Sequence, residues 1–587
     1  MNQETKTCQN CHKNFTIEPE DFKFYEKISV PPPTFCAECR FQRRIAWRNE
    51  RSLYKDRKCD LCGALVISIY APNNPAKVYC QNCWWSDKWD AQNSGRDYDF
   101  SKTFFEQFRD LVRETPQMSL INKQAVNSPF CHSTVGNKNC YLVFGGDYNE
   151  DCMYSTFNFY SKDSLDLYWS FKCERSYELI DARSCYNVSF GHYSENCFDS
   201  FLLYDCKNCN NCFGCVGLRN KSYCIFNKQY KKEEYFEKLK ELNISSFKNL
   251  KKYIGEFQTL VLKYPHRFAV IERSINSTGN NILNSKNCYR CFDIESNIEN
   301  GRYIWLAFAG PKDINSVCHV STGTELCYDS CSLVEDSNIL FSKKIWNQSR
   351  YVQYSYNCHN SSNIFGCTSL RNKQYCILNK QYSKEEYEKL LPKIIAQMSE
   401  KKYIDKAGCV YAYGEFFPAE MSPFSYNETV AQEYFPLTKK EAVTRGYNWK
   451  DREAKEYKVT LEAEQLTDDI VDVPDSIVNE VIGCDHKETC TENCTRAFRI
   501  LQSELAFYRS KNLPIPRLCP NCRHYQRIKQ RNPLKLWHRQ CMCPSNLYQN
   551  TIKHDHEGSC PNEFETTYAP ERPEIVYCEK CYLKEVV

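Results

Sequence analysis

Cysteine recurs at a fixed interval of twelve. Cys140 and Cys152 are twelve apart, and Cys173, Cys185, Cys197 and Cys209 follow at the same spacing. A turn-favouring residue precedes most of them: Asn139, Asp151, Ser184, Asn196 and Asn208. Self-similarity at a fixed, non-helical period means that the chain returns to the same lateral position each time. It predicts stacked coils, a parallel β-solenoid, with short aromatic-rich strands alternating between its faces. Twelve residues could make a whole coil or half of one. The cysteines would stack as small buried hydrophobes. Cys206, Cys209, Cys212 and Cys215, three apart, have a spacing that also suits a metal knuckle.

The region is duplicated. FGCVGLRNKSYCIFNKQYKKEEYFEKL at Phe213 recurs as FGCTSLRNKQYCILNKQYSKEEYEKL at Phe365. The second copy carries Cys288, Cys318, Cys327, Cys358, Cys367 and Cys376, and each copy ends in a charged helix that can cap it. Ser383 and Glu386 form a capping box for the second. Upstream, Phe104, Phe105, Phe108 and Leu111 make an apolar helical stripe with Ser101 as its expected cap.

Both termini carry a different device, two Cys-x-x-Cys knuckles bracketing a basic segment. A shift of 483 superposes Cys11, Cys36 and Cys39 on Cys494, Cys519 and Cys522, and Arg40, Arg44, Arg48 and Asn49 on Arg523, Arg527, Arg531 and Asn532. Four thiolates close a tetrahedron with no open position, the pattern of a structural zinc ribbon. The expected sets are Cys8, Cys11, Cys36 and Cys39; Cys59, Cys62, Cys80 and Cys83; Cys490, Cys494, Cys519 and Cys522; and Cys541, Cys560, Cys578 and Cys581, for four zinc ions. Cys560 replaces Cys62 because YAPNNPAKVYCQNC at Tyr70 matches YAPERPEIVYCEKC at Tyr568. Cys543 is its rival, in an insertion with His554 and His556. Cys484 and His486 are spare and could displace Cys490.

The fold class is therefore mainly β with helices, with paired zinc ribbons at both ends flanking two duplicated parallel β-solenoid segments capped by helices. The expected organisation is a double ribbon (1–95), a linking helix (96–129), a first solenoid (130–230), a cap and linker (231–280), a second solenoid (281–382), a cap and connector (383–480) and a second double ribbon (481–587). The chain of 587 residues and 38 cysteines has no apolar run near 18 residues and no charged–apolar–small leader. This points away from a membrane span and a secretory signal, and toward thiolate metal ligation in a reducing cytoplasm.

Lys+Arg 77 against Asp+Glu 73 selects no partner globally, so charge informs only locally. Arg40, Arg44, Arg48 and Arg51, like Arg523, Arg527 and Arg531, fall at helical spacing, with Trp47 and Trp537 nearby. Arginines one turn apart can bridge phosphates and aromatics can stack on bases. Nucleic acid, RNA first, is the leading partner expectation. Alternatively the arginines pack across the paired ribbons or form a solvated face, and a second expectation is that the solenoids and ribbons form a protein–protein scaffold. A third reading, a carbohydrate-active enzyme, rests on fold analogy. Asp147, Asp151, Asp181, Asp199 and Asp205 also suit turn ladders, and Cys131–His132, Cys318–His319 and Cys358–His359 point to opposite strand faces. No catalytic residue is assigned.

CRFQRRIAWRNERSLYKDRKCDLC at Cys39, LPIPRLCPNCRHYQRIKQRNPLKLWHRQC at Leu513 and LRNKQYCILNKQY at Leu370 resemble uncharacterised multi-zinc-ribbon proteins of ultra-small, reduced-genome bacteria. The resemblance spans nearly the whole chain. It implies four ribbons around a repeat region and brings no activity.

Overall fold

Strands of the first cysteine-rich region pair in parallel with a constant register: Thr156 with Tyr168, Tyr168 with Ile180, Tyr186 with Phe198, Phe198 with Asn210. Twelve residues thus bring the chain back to the same position one strand spacing along. This first stack is an eight-stranded sheet in chain order, from Thr156–Phe159 to an antiparallel closing hairpin at Lys228–Gln229. Isolated parallel bridges carry the register back to Val126. The computed structural model describes residues 3–451, 458–487, 489–490 and 492–586. Residues 452–457 of the expected connector lie outside the described residues.

Within one twelve-residue rung the period is three, not the expected alternation of two. Lys162, Leu165, Tyr168 and Phe171 each pair with the residue twelve on. The next residues, Asp163, Asp166, Trp169 and Lys172, adopt φ of +46°, +60°, +50° and +53°. The third residue of each triplet faces inward, and Ser161, Ser164, Leu167, Ser170 and Cys173 are at most 2% exposed. A left-handed residue costs an L-amino acid on the order of 1–2 kcal/mol, and Asn and Asp tolerate it best. Asn139, Asp151, Asn196 and Asn208, read as turn signals, occupy this position.

Two of the three backbone N–H groups per triplet meet carbonyls of neighbouring rungs, as Lys162 N to Cys173 O (2.9 Å) and Asp163 N to Glu150 O (3.1 Å). The inward one has no such partner, which explains the inward serines. Ser161 Oγ accepts from Cys173 N (3.1 Å), Ser164 Oγ from Ser176 N (3.0 Å) and Ser200 Oγ from Cys212 N (3.0 Å). Inward cysteines donate to carbonyls nine residues on, as Cys197 to Cys206 O (3.3 Å). Cys206, Cys209, Cys212 and Cys215 fill the four inward places of one rung, and each thiol donates to such a carbonyl.

The second stack is a fifteen-stranded, mostly parallel sheet. Its register varies: Ile271 pairs with Ile282, Gly279 with Cys291, Phe292 with Trp305 and Ser362 with Gln374. One-residue insertions and deletions therefore break the sequence repeat without breaking the stack. Its interior is richer in Ile and Val, with Cys288, Cys291, Cys327, Cys358, Cys367 and Cys376 among them. Cys318 lies outside this interior, disulfide-bonded to Cys331, and the other described cysteines are free thiols.

The stacks face each other in opposite senses. Phe159 meets Phe308, Arg183 meets Glu295 (2.5 Å) and Lys207 meets Glu272 (2.5 Å), so numbers rise in one as they fall in the other. Helix Lys384–Glu400, with its Ser383/Glu386 capping box, packs on the last strands of the second stack, and Phe247–Lys263 packs on the first. The linking helix is Phe104–Glu114, and its cap is Thr103, not Ser101, with Glu106 completing a capping box. Phe104, Phe105, Phe108 and Leu111 are buried. No described helix is long and apolar enough to cross a membrane.

The inward ladder predicts protection. In native protein Cys185 and Cys197 should resist a thiol reagent until denaturant is added, whereas Cys62, which is exposed, should react once metal is chelated. Ready native labelling of Cys185 or Cys197, read by peptide mass, would contradict the triplet arrangement.

Candidate metal centres and buried arginine stripes

Each terminal module is a short antiparallel hairpin followed by a helix or turn that opens on a Cys-x-x-Cys knuckle. In the first, strands Glu4–Thr7 and Asn14–Ile17 pair, and helix α1 (Ala37–Ile45) begins at Cys36. In its distant counterpart, Ile482–Gly483 pairs with Ala497–Phe498 and helix α2 (Pro520–Gln530) begins at Cys519. Four groups of four cysteines bring their sulfurs within 4.8 Å of one another: Cys8, Cys11, Cys36, Cys39; Cys59, Cys62, Cys80, Cys83; Cys484, Cys494, Cys519, Cys522; and Cys541, Cys560, Cys578, Cys581. Each can hold a metal ion.

The same hydrogen bond recurs in all four. Cys36 N donates to Cys8 Sγ (3.3 Å), Cys80 N to Cys59 Sγ (3.3 Å), Cys519 N to Cys484 Sγ (3.3 Å) and Cys578 N to Cys541 Sγ (3.1 Å). An N–H aimed at sulfur favours the thiolate that a metal needs.

The third group corrects the expected one. Cys484, not Cys490, stands where Cys8 stands in the first module, directly after the first hairpin strand. Cys490 lies 3.8 Å from Cys522 Sγ but outside the group of four. The sequence alignment had favoured Cys490 because its spacing to Cys494 is nearest to a knuckle. The hairpin tolerates a longer turn, so the ligand comes from before it.

The basic stripes are inside. Arg40, Arg44, Arg48, Arg523 and Arg527 are at most 4% exposed, and the Trp47 side chain is equally buried. Arg44 is ion-paired to Asp329, Arg523 to Asp166 (3.0 Å), and Arg527 to Asp166 and Glu178 (2.8 Å each). Arg531 bridges Asp181 of the first stack (2.8 Å) and Asp293 of the second (2.5 Å). Arg48 pairs with Glu50 (2.7 Å) and lies over the Trp305 ring. Arg51 hydrogen-bonds Thr156 Oγ1 (3.0 Å) and Asn521 (3.3 Å). Trp537 is half-buried under Lys535. The expected phosphate contacts are thus engaged by the protein itself. Glu50 apart, the partner carboxylates sit on the stacks, far away in sequence, which is why the stripe alone reads as solvent-facing.

The contacts are duplicated. Stepping down the register, Phe365, Gln353, Leu340 and Tyr328 of the second stack correspond to Phe213, Phe201, Ser189 and Tyr177 of the first. Asp329 is therefore the counterpart of Glu178, and one further pair of steps makes Tyr303 that of Tyr154. Arg40 lies over Tyr303 and Arg523 over Tyr154. The Tyr303 hydroxyl donates to Asp21 (3.1 Å), and the Tyr154 hydroxyl to Glu504 (3.0 Å), where Asp21 and Glu504 are also related by 483. The first terminal module grips the second stack and the last terminal module grips the first.

The carboxylates weighed for catalysis are likewise engaged. Asp181 is held by Arg531, Asp205 by Arg219 (2.9 Å), and Asp147 accepts from Val135 N (2.8 Å). Asp151 and Asp199 accept from Asn139 and Asn187 one rung away. Cys131 donates to Cys140 O (3.5 Å) while His132 Nδ1 accepts from Ile121 N (3.0 Å), so the two make no dyad.

No protein-family model matches the chain, and a search of curated proteins finds no match.

Near Arg48 the stacks enclose further charge. Burial pushes His132 and His359 down to about 3 and Lys344 to about 8. Burial opposes ionisation of Glu50, yet Arg48, His132, His319 and Lys343 together hold its carboxyl down at about 2. A histidine held near 3 when folded but about 6.5 when unfolded makes the unfolded chain the better proton binder between those values. Stability contributed by His132 is complete above pH 6.5 and is lost as pH falls toward 3, at up to about 1.4 kcal/mol per unit. Urea midpoints should therefore fall more steeply with acid in the parent than in His132→Gln, metal release being common to both. Equal slopes would show that this imidazole titrates normally.

Proposed function

We propose that the protein is a non-enzymatic scaffold, stapled by zinc at its four cysteine groups, that presents its stacks, read as four-sided β-solenoids, to a protein partner. Zinc is the reading for the metal because closed four-thiolate sets with knuckle spacing suit its tetrahedral preference. The observation that carries the choice of partner is the fate of charge. Arg44, Arg48, Arg523, Arg527 and Arg531 pair with carboxylates within the molecule, while Arg40 donates to Tyr328 and Arg51 to Thr156 and Asn521. The outward column of each stack alternates instead: Lys138, Glu150, Lys162 and Glu174 on the first, Lys286, Glu299, Lys312 and Glu325 on the second. Lys138 pairs with Glu150 (2.7 Å) along this column. A balanced ladder gives a polyanion no counterion release to gain, whereas mixed charge on a rigid face suits a complementary protein surface.

Nucleic-acid binding through the stripes would require Arg44 or Arg527 to leave a buried carboxylate unpaired, at a cost of roughly 3–5 kcal/mol each. No comparable cost attends binding at the outward ladders.

The test is recovery of tagged full-length protein from native cells with and without nuclease. The same protein partner should be retained after nuclease. The double variant Lys138→Glu, Lys162→Glu should reduce its recovery at least tenfold while leaving the melting curve unchanged. A nucleic acid lost on nuclease treatment, with the variant recovering it equally well, would contradict the scaffold reading.

A further inference from the structure

The last module carries more ligands than one metal can use. Cys543, His554, His556 and Cys581 bring their donor atoms within 4.8 Å of one another, and Cys581 also belongs to the group formed with Cys541, Cys560 and Cys578. We propose that this module is a dinuclear centre, in which Cys581 bridges one zinc held by Cys541, Cys560 and Cys578 and a second held by Cys543, His554 and His556. The inference rests on the zinc reading of the ribbons and is independent of the partner.

The distances suit two tetrahedra sharing a corner. With Zn–S near 2.3 Å and Zn–N near 2.0–2.1 Å, adjacent donors of a tetrahedron lie ~3.8 Å apart for two sulfurs and ~3.6 Å for sulfur and nitrogen. On one side of Cys581, its Sγ lies 3.7 Å from Cys560 Sγ, which lies 4.0 Å from Cys578 Sγ. On the other, Cys581 Sγ lies 3.5 Å from His556 Nε2, and Cys543 Sγ lies 3.4 Å from His554 Nδ1.

The surroundings fix both rings for ligation. His554 turns Nδ1 toward Cys543, and its Nε2–H donates to Glu585 Oε1 (2.7 Å), a carboxylate whose side chain is 0% exposed. Glu585 is itself held by Tyr548 Oη (2.9 Å), Thr551 N (2.9 Å) and Thr551 Oγ1 (2.8 Å). His556 Nδ1–H donates to Gly558 O (2.9 Å), leaving Nε2 as the ligand. Orienting the non-ligating N–H in this way raises ligand basicity and sets the tautomer. Asn550 donates to Cys543 Sγ (3.3 Å), as Asn562 does to Cys578 Sγ (3.3 Å).

The sequence explains how the centre arises. In the first half the corresponding module closes with Cys59 and Cys62 three apart, whereas Cys541 and Cys560 are separated by the insertion that contributes Cys543, His554 and His556. Cys581 and Glu585 are four apart on helix Glu579–Val586 and share a face. One turn of helix thus offers the bridging thiolate and the carboxylate that orients a ligand of the second ion. A lone four-thiolate zinc carries two net negative charges. A second divalent ion with one added thiolate leaves the pair at one.

Metal analysis of the full-length protein, dialysed against a weak chelator, should find five zinc ions per chain, one beyond the four four-cysteine groups. His554→Gln with His556→Gln should bind four, with its melting transition still present. In protein loaded with cadmium-113, two resonances from this module should be mutually coupled through the shared sulfur, one in the range of four-sulfur sites and one in the range of two-sulfur, two-nitrogen sites. Four ions in both parent and variant, with no coupled pair in the parent spectrum, would overturn the dinuclear centre while leaving the four ribbons intact. No bound zinc at all would overturn the ribbon reading itself. The cadmium spectrum uses the parent protein, so it decides the matter even if the variant misfolds.

Discussion

Arginine buried against carboxylate joins the terminal modules to the stacks. Arg44 with Asp329 and Arg527 with Glu178 are counterparts in a duplicated molecule; the first pair is almost wholly enclosed, and in the second Arg527 is enclosed while Glu178 is partly exposed. Taking such charges out of water costs several kcal/mol per ion, and only close partners and further hydrogen bonds offset it. Interactions of this kind specify one docking geometry more than they add stability. The tyrosines add to that specificity, since Tyr303 and Tyr154 each stack under an arginine and donate to Asp21 or Glu504.

The chain order makes the docking reciprocal. The modules run ribbon, stack, stack, ribbon, yet each ribbon grips the stack farther from it in sequence. The opposed stacks and the two crossed grips relate the halves by an approximate two-fold arrangement. Arg48 and Arg531 sit near its centre, and their partners show where the halves have diverged. Arg531 ties Asp181 to Asp293 across the junction, whereas Arg48 turns to its neighbour Glu50. Metal bound at these groups would be coupled to docking, because α1 and α2 each begin at a cysteine of a four-cysteine group and lead into the arginines. A metal that fixes Cys36 or Cys519 also aims the stripe.

Much of this was legible in the sequence. The duplications, fifteen of the sixteen expected four-cysteine ligands and the twelve-residue return are visible as offsets between residues. The triplet within each rung was not recognised, although Ser, Cys and Val at every third position signal it, because an aromatic-rich strand invites a period of two. Cys484 was legible only as an alternative to Cys490, since ligand identity depends on where a hairpin begins, not on spacing alone. The stripes misled for a different reason. Helical periodicity shows that Arg40, Arg44 and Arg48 share a face, but not what covers it, and the groups that cover Arg40 and Arg44, Tyr328 and Asp329, lie hundreds of residues away.

A double-mutant cycle on Arg44 and Asp329, read by denaturant unfolding with Arg44→Gln, Asp329→Asn and the double variant, addresses this clamp directly. If the buried pair joins ribbon to stack, each single change should cost roughly 3–5 kcal/mol, and the double change far less than the sum, giving a coupling energy of at least about 1.5 kcal/mol. Additive effects, with coupling near zero, would mean that the arginine does not hold the module to the stack and would contradict the account.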